Sequence, residues 1–137
     1  MKNLNITLLF NGETEAAFNF YKSVFGGEFS VLQRMKDMPG EHPIPEAEKE
    51  NILYVSLPLA KASLTGMDVP SFMPAPVTGT NFSISLDLDS EDETTKAFNG
   101  LADGGQVKMP LGPQFWATWF GMVTDKFGIT WMLSYNQ

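Results

Sequence analysis

The sequence predicts an α+β fold built from two βαβββ modules joined by a short linker. An internal repeat is the first reason: Glu13-Thr14-Glu15-Ala16-Ala17-Phe18-Asn19 recurs as Glu93-Thr94-Thr95-Lys96-Ala97-Phe98-Asn99, and Phe25-Gly26-Gly27-Glu28-Phe29 is echoed by Asp103-Gly104-Gly105-Gln106-Val107. The second is periodicity. Each repeat follows a segment alternating at period two, Leu4-Asn5-Ile6-Thr7-Leu8 and Phe82-Ser83-Ile84-Ser85-Leu86. At 137 residues the chain is read as one domain, with a first module over about 1–68, a linker over about 69–79 and a second module over about 80–137.

In the first module, Leu4 to Phe10 alternates as a strand that Asn11-Gly12 ends. The spacing of Ala16, Ala17, Phe20, Tyr21, Val24 and Phe25 predicts one apolar face of a helix over Glu13 to Phe25, stopped by Gly26-Gly27. Strands are predicted at Phe29 to Met35, Ile52 to Leu57 and Lys61 to Met67. A Pro-rich segment, Met38 to Pro45, interrupts them and carries His42. From Asp68 to Gly79, Pro70, Pro74 and Pro76 favour an extended linker over a packed element. The second helix opens with Ser90 and Glu93 in capping-box spacing, buries Ala97, Phe98 and Leu101, and ends at Gly104-Gly105. Strands follow at Gln106 to Met109, Phe115 to Thr124 and Ile129 to Tyr135. Asp125-Lys126-Phe127-Gly128, with its late glycine, is read as hairpin geometry rather than catalysis.

One histidine and no cysteine exclude zinc fingers, Fe–S clusters, a disulfide framework and a thiol nucleophile. A net charge of −7 argues against nucleic-acid binding, which needs a basic stripe. The longest uncharged stretch, Met109 to Thr124, holds Pro110, Gly112, Pro113 and Gly121, so no membrane-spanning helix is expected. The apolar run after Lys2 is too short for a secretory signal, and a cytoplasmic protein is the expectation.

If a helix covers one face of each sheet, the other face shows what the sheet is for. Those positions, Asn5, Thr7 and Leu9, Ile52, Tyr54 and Ser56, Ser83, Ser85 and Asp87, and Thr130, Met132 and Ser134, are almost all small, uncharged hydroxyls and amides rather than the long charged side chains of a solvent face. Such groups leave volume and offer hydrogen bonds at fixed points, as a binding cavity requires. Hydroxyl residues also simply suit strands. All three tryptophans, Trp116, Trp119 and Trp131, lie beside Phe115, Phe120 and Phe127, a cluster that fits a core or an interface as well as a ligand platform. Trp116 and Trp119, three apart on a strand, point to opposite faces, so that one packs while the other lines the cavity.

The runs Leu8-Leu9-Phe10-Asn11-Gly12, Ala17-Phe18-Asn19-Phe20-Tyr21-Lys22-Ser23-Val24-Phe25-Gly26-Gly27 and Phe115 to Met132 resemble the PhnB-like branch of the vicinal oxygen chelate superfamily, which includes glyoxalase I, extradiol dioxygenases and bleomycin-resistance proteins. The resemblance covers nearly the whole chain. It implies paired βαβββ modules forming a half-open, glyoxalase-like barrel around a cleft, usually in a homodimer. Some relatives bear a 3-demethylubiquinone methyltransferase label, but nothing here resembles a glycine-rich nucleotide or methyl-donor signature. In metal-using members the ligands are typically His and Glu on the first and last strands of each module. Their equivalents fall near Asn5, Thr65, Ser83 and Met132, and shifts of one residue to Thr7, Ser85 or Leu133 do not improve the set. None of these is a normal divalent-metal ligand, so no metal site and no cofactor are expected, although a weakly bound divalent metal remains compatible with the reading. His42, beside Glu41 and Pro43, is a solvent-exposed loop residue or part of a lid.

No Gly-x-Ser-x-Gly elbow is present, a Ser/His/Asp triad would have to recruit His42, and Asp87 and Asp89 sit where a helix begins. The expectation is therefore a protein binding an unidentified small molecule through Asn5, Thr7, Tyr54, Ser56, Ser83, Trp116, Phe120 and Met132, without a tight catalytic metal. Two alternatives stay open: a metal-dependent lyase, isomerase or dioxygenase of the superfamily, and a drug-sequestering protein whose acidic cleft attracts a cation. Whether the chain is an enzyme is left open by its sequence.

Overall fold

The computed structural model describes residues 1–40 and 43–137; Glu41 and His42, and with them any lid role of that loop, lie outside the described residues. The chain divides into two compact units, Met1–Val77 and Thr78–Gln137. The first runs β1 (Asn5–Phe10), α1 (Thr14–Phe25), β2 (Val31–Arg34), β3 (Ile52–Leu59) and β4 (Ala62–Asp68); the second runs β5 (Ile84–Asp87), α2 (Glu91–Ala102), β6 (Gln106–Gln114), β7 (Ala117–Thr124) and β8 (Thr130–Tyr135). The repeat read from the sequence is thus a repeat of βαβββ units, each with one helix and one four-stranded sheet.

The two sheets share a topology, β1-β4-β3-β2 and β5-β8-β7-β6. In each, the first strand pairs parallel with the last, and the other pairings are antiparallel. The helix provides the crossover that a parallel pair needs.

The face that α1 buries differs from the one expected. Thr14, Ala17, Phe18 and Tyr21 are fully buried, at i, i+3, i+4 and i+7, whereas Ala16 is exposed and Phe20, Val24 and Phe25 are half-buried. The sequence offers a band of apolar residues wider than the stripe that contacts the sheet, and contact with the sheet selects the stripe centred on Phe18. In α2 the expected Ala97, Phe98 and Leu101 are buried, and Thr94 joins them to complete the equivalent stripe. A bulge where Gln33 pairs with Tyr54 and Arg34 with Ile52 breaks the alternation of β3. Ile52 and Val55, three apart, are consequently both 1% exposed.

Strand edges also moved. β6 extends through Pro110 and Pro113, which an edge strand with bulges tolerates, while β7 starts at Ala117. The expected linker begins inside the first unit: Asp68 and Val69 are buried, Val69 N donates to Phe10 O (2.9 Å), and Glu48 accepts from Ser71 N and Oγ (2.8 and 2.9 Å). Its prolines set the backbone, but the carboxylate of Glu48 anchors it.

Arg34 at the end of β2 ties three segments together. Its guanidinium grips both carboxylate oxygens of Glu15 on α1 and donates to Glu50 O (2.8 Å). The hydrogen bonds from Arg34 hold the Glu15 carboxyl below its ordinary value of 4.5, against a partial opposing effect of burial. Because the folded value is the lower one, this pair stabilises the fold above the unfolded value, and the contribution is lost as pH falls through the folded value. Glu15 is 45% exposed at its side chain, so the pair contributes under about 1 kcal/mol. Urea unfolding of Glu15→Gln and wild type is expected to differ at pH 7 and to converge at acidic pH; an equal gap at both would show that the charge is not responsible.

Candidate functional site

Register across each sheet identifies its open face. In the first unit, Gly66 faces the helix, since a Cβ there would lie 2.3 Å from the Phe18 ring and 3.0 Å from Thr14 Cγ2. Thr65 and Met67 therefore face the other way. Across that open face, Thr7, Thr65, Ser56 and Val31 stand in one row on β1, β4, β3 and β2, and Asn5, Ser63 and Pro58 form the next. The hydroxyl-rich face anticipated from alternation is present, with Ser63 and Thr65 from β4 added to Asn5, Thr7 and Ser56.

Within this face the hydroxyls divide into two groups. Thr65 Oγ1 donates to Ile6 O (3.1 Å) and lies 2.6 Å from Thr7 Oγ1, so the Thr7 hydroxyl supplies the hydrogen between them. This pair is committed to the sheet. Beside it, Asn5, Tyr54, Ser56 and Ser63 line an open cavity of about 350 Å³, together with Asn3, Leu4, Pro58 and the Ala60-Lys61 turn. No buried side-chain polar atom of the described residues lacks a partner, so the unpaired groups of this cavity face open space.

The turn joining β3 to β4 presents Lys61 at the cavity. Ala60, at φ 52, is the one non-glycine residue at positive φ among the described residues. Two-residue hairpins prefer glycine at this position, and alanine there carries a steric cost.

In the second unit, a Cβ on Gly121 would meet Phe98 and Leu111 at 2.8 Å, so Phe120 and Met122 lie on the face away from α2. There Ser85, Met132, Met122 and Met109 form one row over β5, β8, β7 and β6, and Asp87, Ser134, Phe120 and Gly112 form the next. Trp116 sits just ahead of β7, its ring 5.4 Å from Phe120. Trp119 goes to the helix side, where Nε1 donates to Thr95 Oγ1 (3.1 Å). Trp116 lies in the turn ahead of β7 rather than on the strand, so the spacing argument places Trp119 alone. Ser83 precedes β5, and Ser85 is the hydroxyl in register with Met132. Met109 and Met122 had no sequence signal, because only the register of β6 with β7 brings them beside Met132. Thioethers in a row make a polarisable, adaptable apolar surface.

The divalent metal that other members of the resembled superfamily use does not fit these donors. Asn5 is in register with Ser63 rather than Thr65, Thr65 has its hydroxyl hydrogen engaged by Ile6 O, and Met132 offers a thioether between Ser85 and Met122. Neutral amide, hydroxyl and thioether groups are poor ligands for a divalent ion of the first transition row. No group of three His, Cys, Asp or Glu able to hold a metal stands together among the described residues. The buried carboxylate Asp125 serves the hairpin, accepting from Phe127 N (2.8 Å), Ile129 N (3.1 Å) and Trp131 Nε1 (2.9 Å).

Two βαβββ units, each with a helix on one face of its sheet and an open face on the other, make a glyoxalase-like fold. A glyoxalase-related enzyme from Fulvimarina pelagi shares this fold at 18% identity and a TM-score of 0.63, over 99% of this chain and 89% of that one. The sequence profile described as 3-demethylubiquinone-9 3-methyltransferase matches residues 2–134, and the chain belongs to that family. Protein PA1353 from Pseudomonas aeruginosa is 37% identical, with a TM-score of 0.88 and 98% of each chain covered. The PhnB protein from Bacillus cereus is 27% identical, with a TM-score of 0.77, over 96% of this chain and 98% of that one.

Proposed function

We propose that this protein binds a small molecule on the open faces of its sheets, without a tight catalytic metal. The observation that carries this reading is the cavity of the first unit, lined by Asn5, Tyr54 and Ser56 with polar groups not committed to the fold. Convergent uncharged donors and acceptors around an open volume recognise a ligand, and they do not generate a metal-bound nucleophile. On the second unit, Trp116, Phe120 and Met132, with Met109 and Met122 in register, offer rings and thioethers as an apolar ligand surface of its own. Ser83, just before β5, belongs to the same proposed set.

The methyl transfer in the family's description draws no support from the sequence, which carries no glycine-rich nucleotide or methyl-donor signature. A cationic drug, the ligand of a bleomycin-resistance reading, is disfavoured at the first cavity by Lys61 on its lining. The protein is further proposed to act as a cytoplasmic homodimer, as the resemblance implies. Its lack of cysteine is compatible with that compartment, and none of the described helices is long and apolar enough to cross a membrane.

A fragment screen read by amide chemical shifts, with metal analysis of protein purified without chelator, tests the proposal. Saturable shifts are expected at Asn5, Thr7, Tyr54 and Ser56, and at Ser83, Trp116, Phe120 and Met132, with metal well below one equivalent. Stoichiometric nickel, zinc, manganese or iron, or fragments that leave both faces unperturbed, would overturn it.

A further inference from the structure

We infer that the cavity of the first unit is an oxyanion site, taking the carboxylate or phosphate group of a small ligand against Lys61. This rests on the small-molecule reading above and specifies the ligand's charge. Of the ten residues lining the cavity, Lys61 alone is charged. Its ammonium makes no ion pair or hydrogen bond to another described residue, whereas Lys22, Arg34, Lys36 and Lys49 each hold a carboxylate.

The groups around it suit an anion. Asn3 and Asn5 amides, Ser56 and Ser63 hydroxyls and the Tyr54 phenol are all donors, and none of these side chains is engaged by another described residue. Neutral donors beside one cation bind an oxyanion through charge-assisted hydrogen bonds. They offer no negative charge to hold a cation. In a chain of net charge −7, this locally positive pocket runs against the overall field, so it selects by short-range contact rather than by long-range attraction. The backbone supports the same placement. Ala60 holds positive φ (52) where glycine is preferred, and Lys61 follows it directly in the two-residue turn between Leu59 and Ala62.

The test is an amide-shift titration of the whole chain with inorganic phosphate, acetate and, as an uncharged probe, glycerol. Saturable shifts at Asn5, Ser56, Ala62 and Ser63 are expected with phosphate or acetate. Lys61→Gln is expected to weaken them at least tenfold and Lys61→Arg to retain them. Lys61 is exposed in a turn, so both variants should fold as wild type, which their amide spectra will show. Binding of phosphate alone, or of acetate alone, supports the inference and assigns the group. Anion binding undiminished in Lys61→Gln overturns it. Saturation by glycerol but by neither anion also overturns it, while leaving the small-molecule reading standing. If no probe saturates these amides the oxyanion site is refuted, and the fragment screen then decides separately whether the faces bind anything.

Discussion

Asp68→Ala is expected to destabilise the protein by about 3–5 kcal/mol, more than loss of any single exposed group. Asp68, at the end of β4, is 1% exposed and accepts four hydrogen bonds. Oδ1 receives Gly12 N (2.9 Å), Thr14 N (3.1 Å) and Thr14 Oγ1 (2.7 Å), and Oδ2 receives Ile52 N (2.8 Å). One carboxylate thus supplies the cap of α1, fixes the turn out of β1 and anchors the start of β3. Alanine would leave these buried donors unpaired, each costing about 1–3 kcal/mol before relaxation or entry of water. Asp68→Asn is the informative companion. Its carbonyl can replace Oδ1, but its NH2 group would face Ile52 N donor to donor, so an intermediate loss of about 1–3 kcal/mol is expected. Urea unfolding with an unchanged slope and a lowered midpoint measures both. A midpoint in Asp68→Ala within error of wild type would refute the capping role.

Gly66→Ala is expected to cost about 2–4 kcal/mol by overpacking. The glycine has no unusual φ, so conformational freedom is not the reason. Its missing Cβ is occupied by the Phe18 ring, 2.3 Å from where that Cβ would stand, and Phe18 is fully buried against Tyr21 in a T-shaped contact at 5.6 Å. The ring could yield only by lifting α1 from the sheet or leaving its rotamer. Thermal unfolding should fall by several degrees, and Gly112→Ala, where a Cβ would meet nothing within 4 Å, is the control expected to leave it nearly unchanged. Equal effects at both positions would remove the steric explanation.

These two residues mark what a reading along the chain misses. The cap of α2 is local: Ser90 accepts from Glu93 N, and the spacing announces it. The cap of α1 is not. Glu13 makes no side-chain cap bond, and the carboxylate that serves this terminus comes from a residue 54 positions away. Gly66 likewise looks like a plain weakness in a strand until Phe18 is set against it. The apolar band of α1 was legible, but which stripe of it lies on the sheet depended on that contact.

The candidate site divides in the same way. Alternation along β1, and along β3 beyond its bulge, was enough to pair Asn5 with Thr7 and Tyr54 with Ser56, because side chains in a regular strand alternate with period two, whereas Ile52, read on the same face as Tyr54, is buried where the bulge breaks that alternation. Which of them remain available was set across strands: Thr7 is bonded to Thr65, whereas Asn5, Tyr54 and Ser56 meet at the cavity with Lys61. In the second unit the strand starts only after Trp116, so the spacing rule applied to Trp119 alone, and the Met109, Met122 and Met132 row depends on a bulged pairing of β6 with β7 that no local pattern encodes.

By itself, then, the sequence determined the duplicated βαβββ plan, the inward and outward faces of the strands, and the lack of thiol and clustered imidazole chemistry, since these depend on composition and local periodicity. Tertiary structure alone decided the partner that caps α1, the helix stripe that is buried, the union of the three methionines and the meeting of Lys61 with the free hydroxyls and amides. Each of those is a pairing of residues distant in the chain, set by strand register, and register is a property of two segments together.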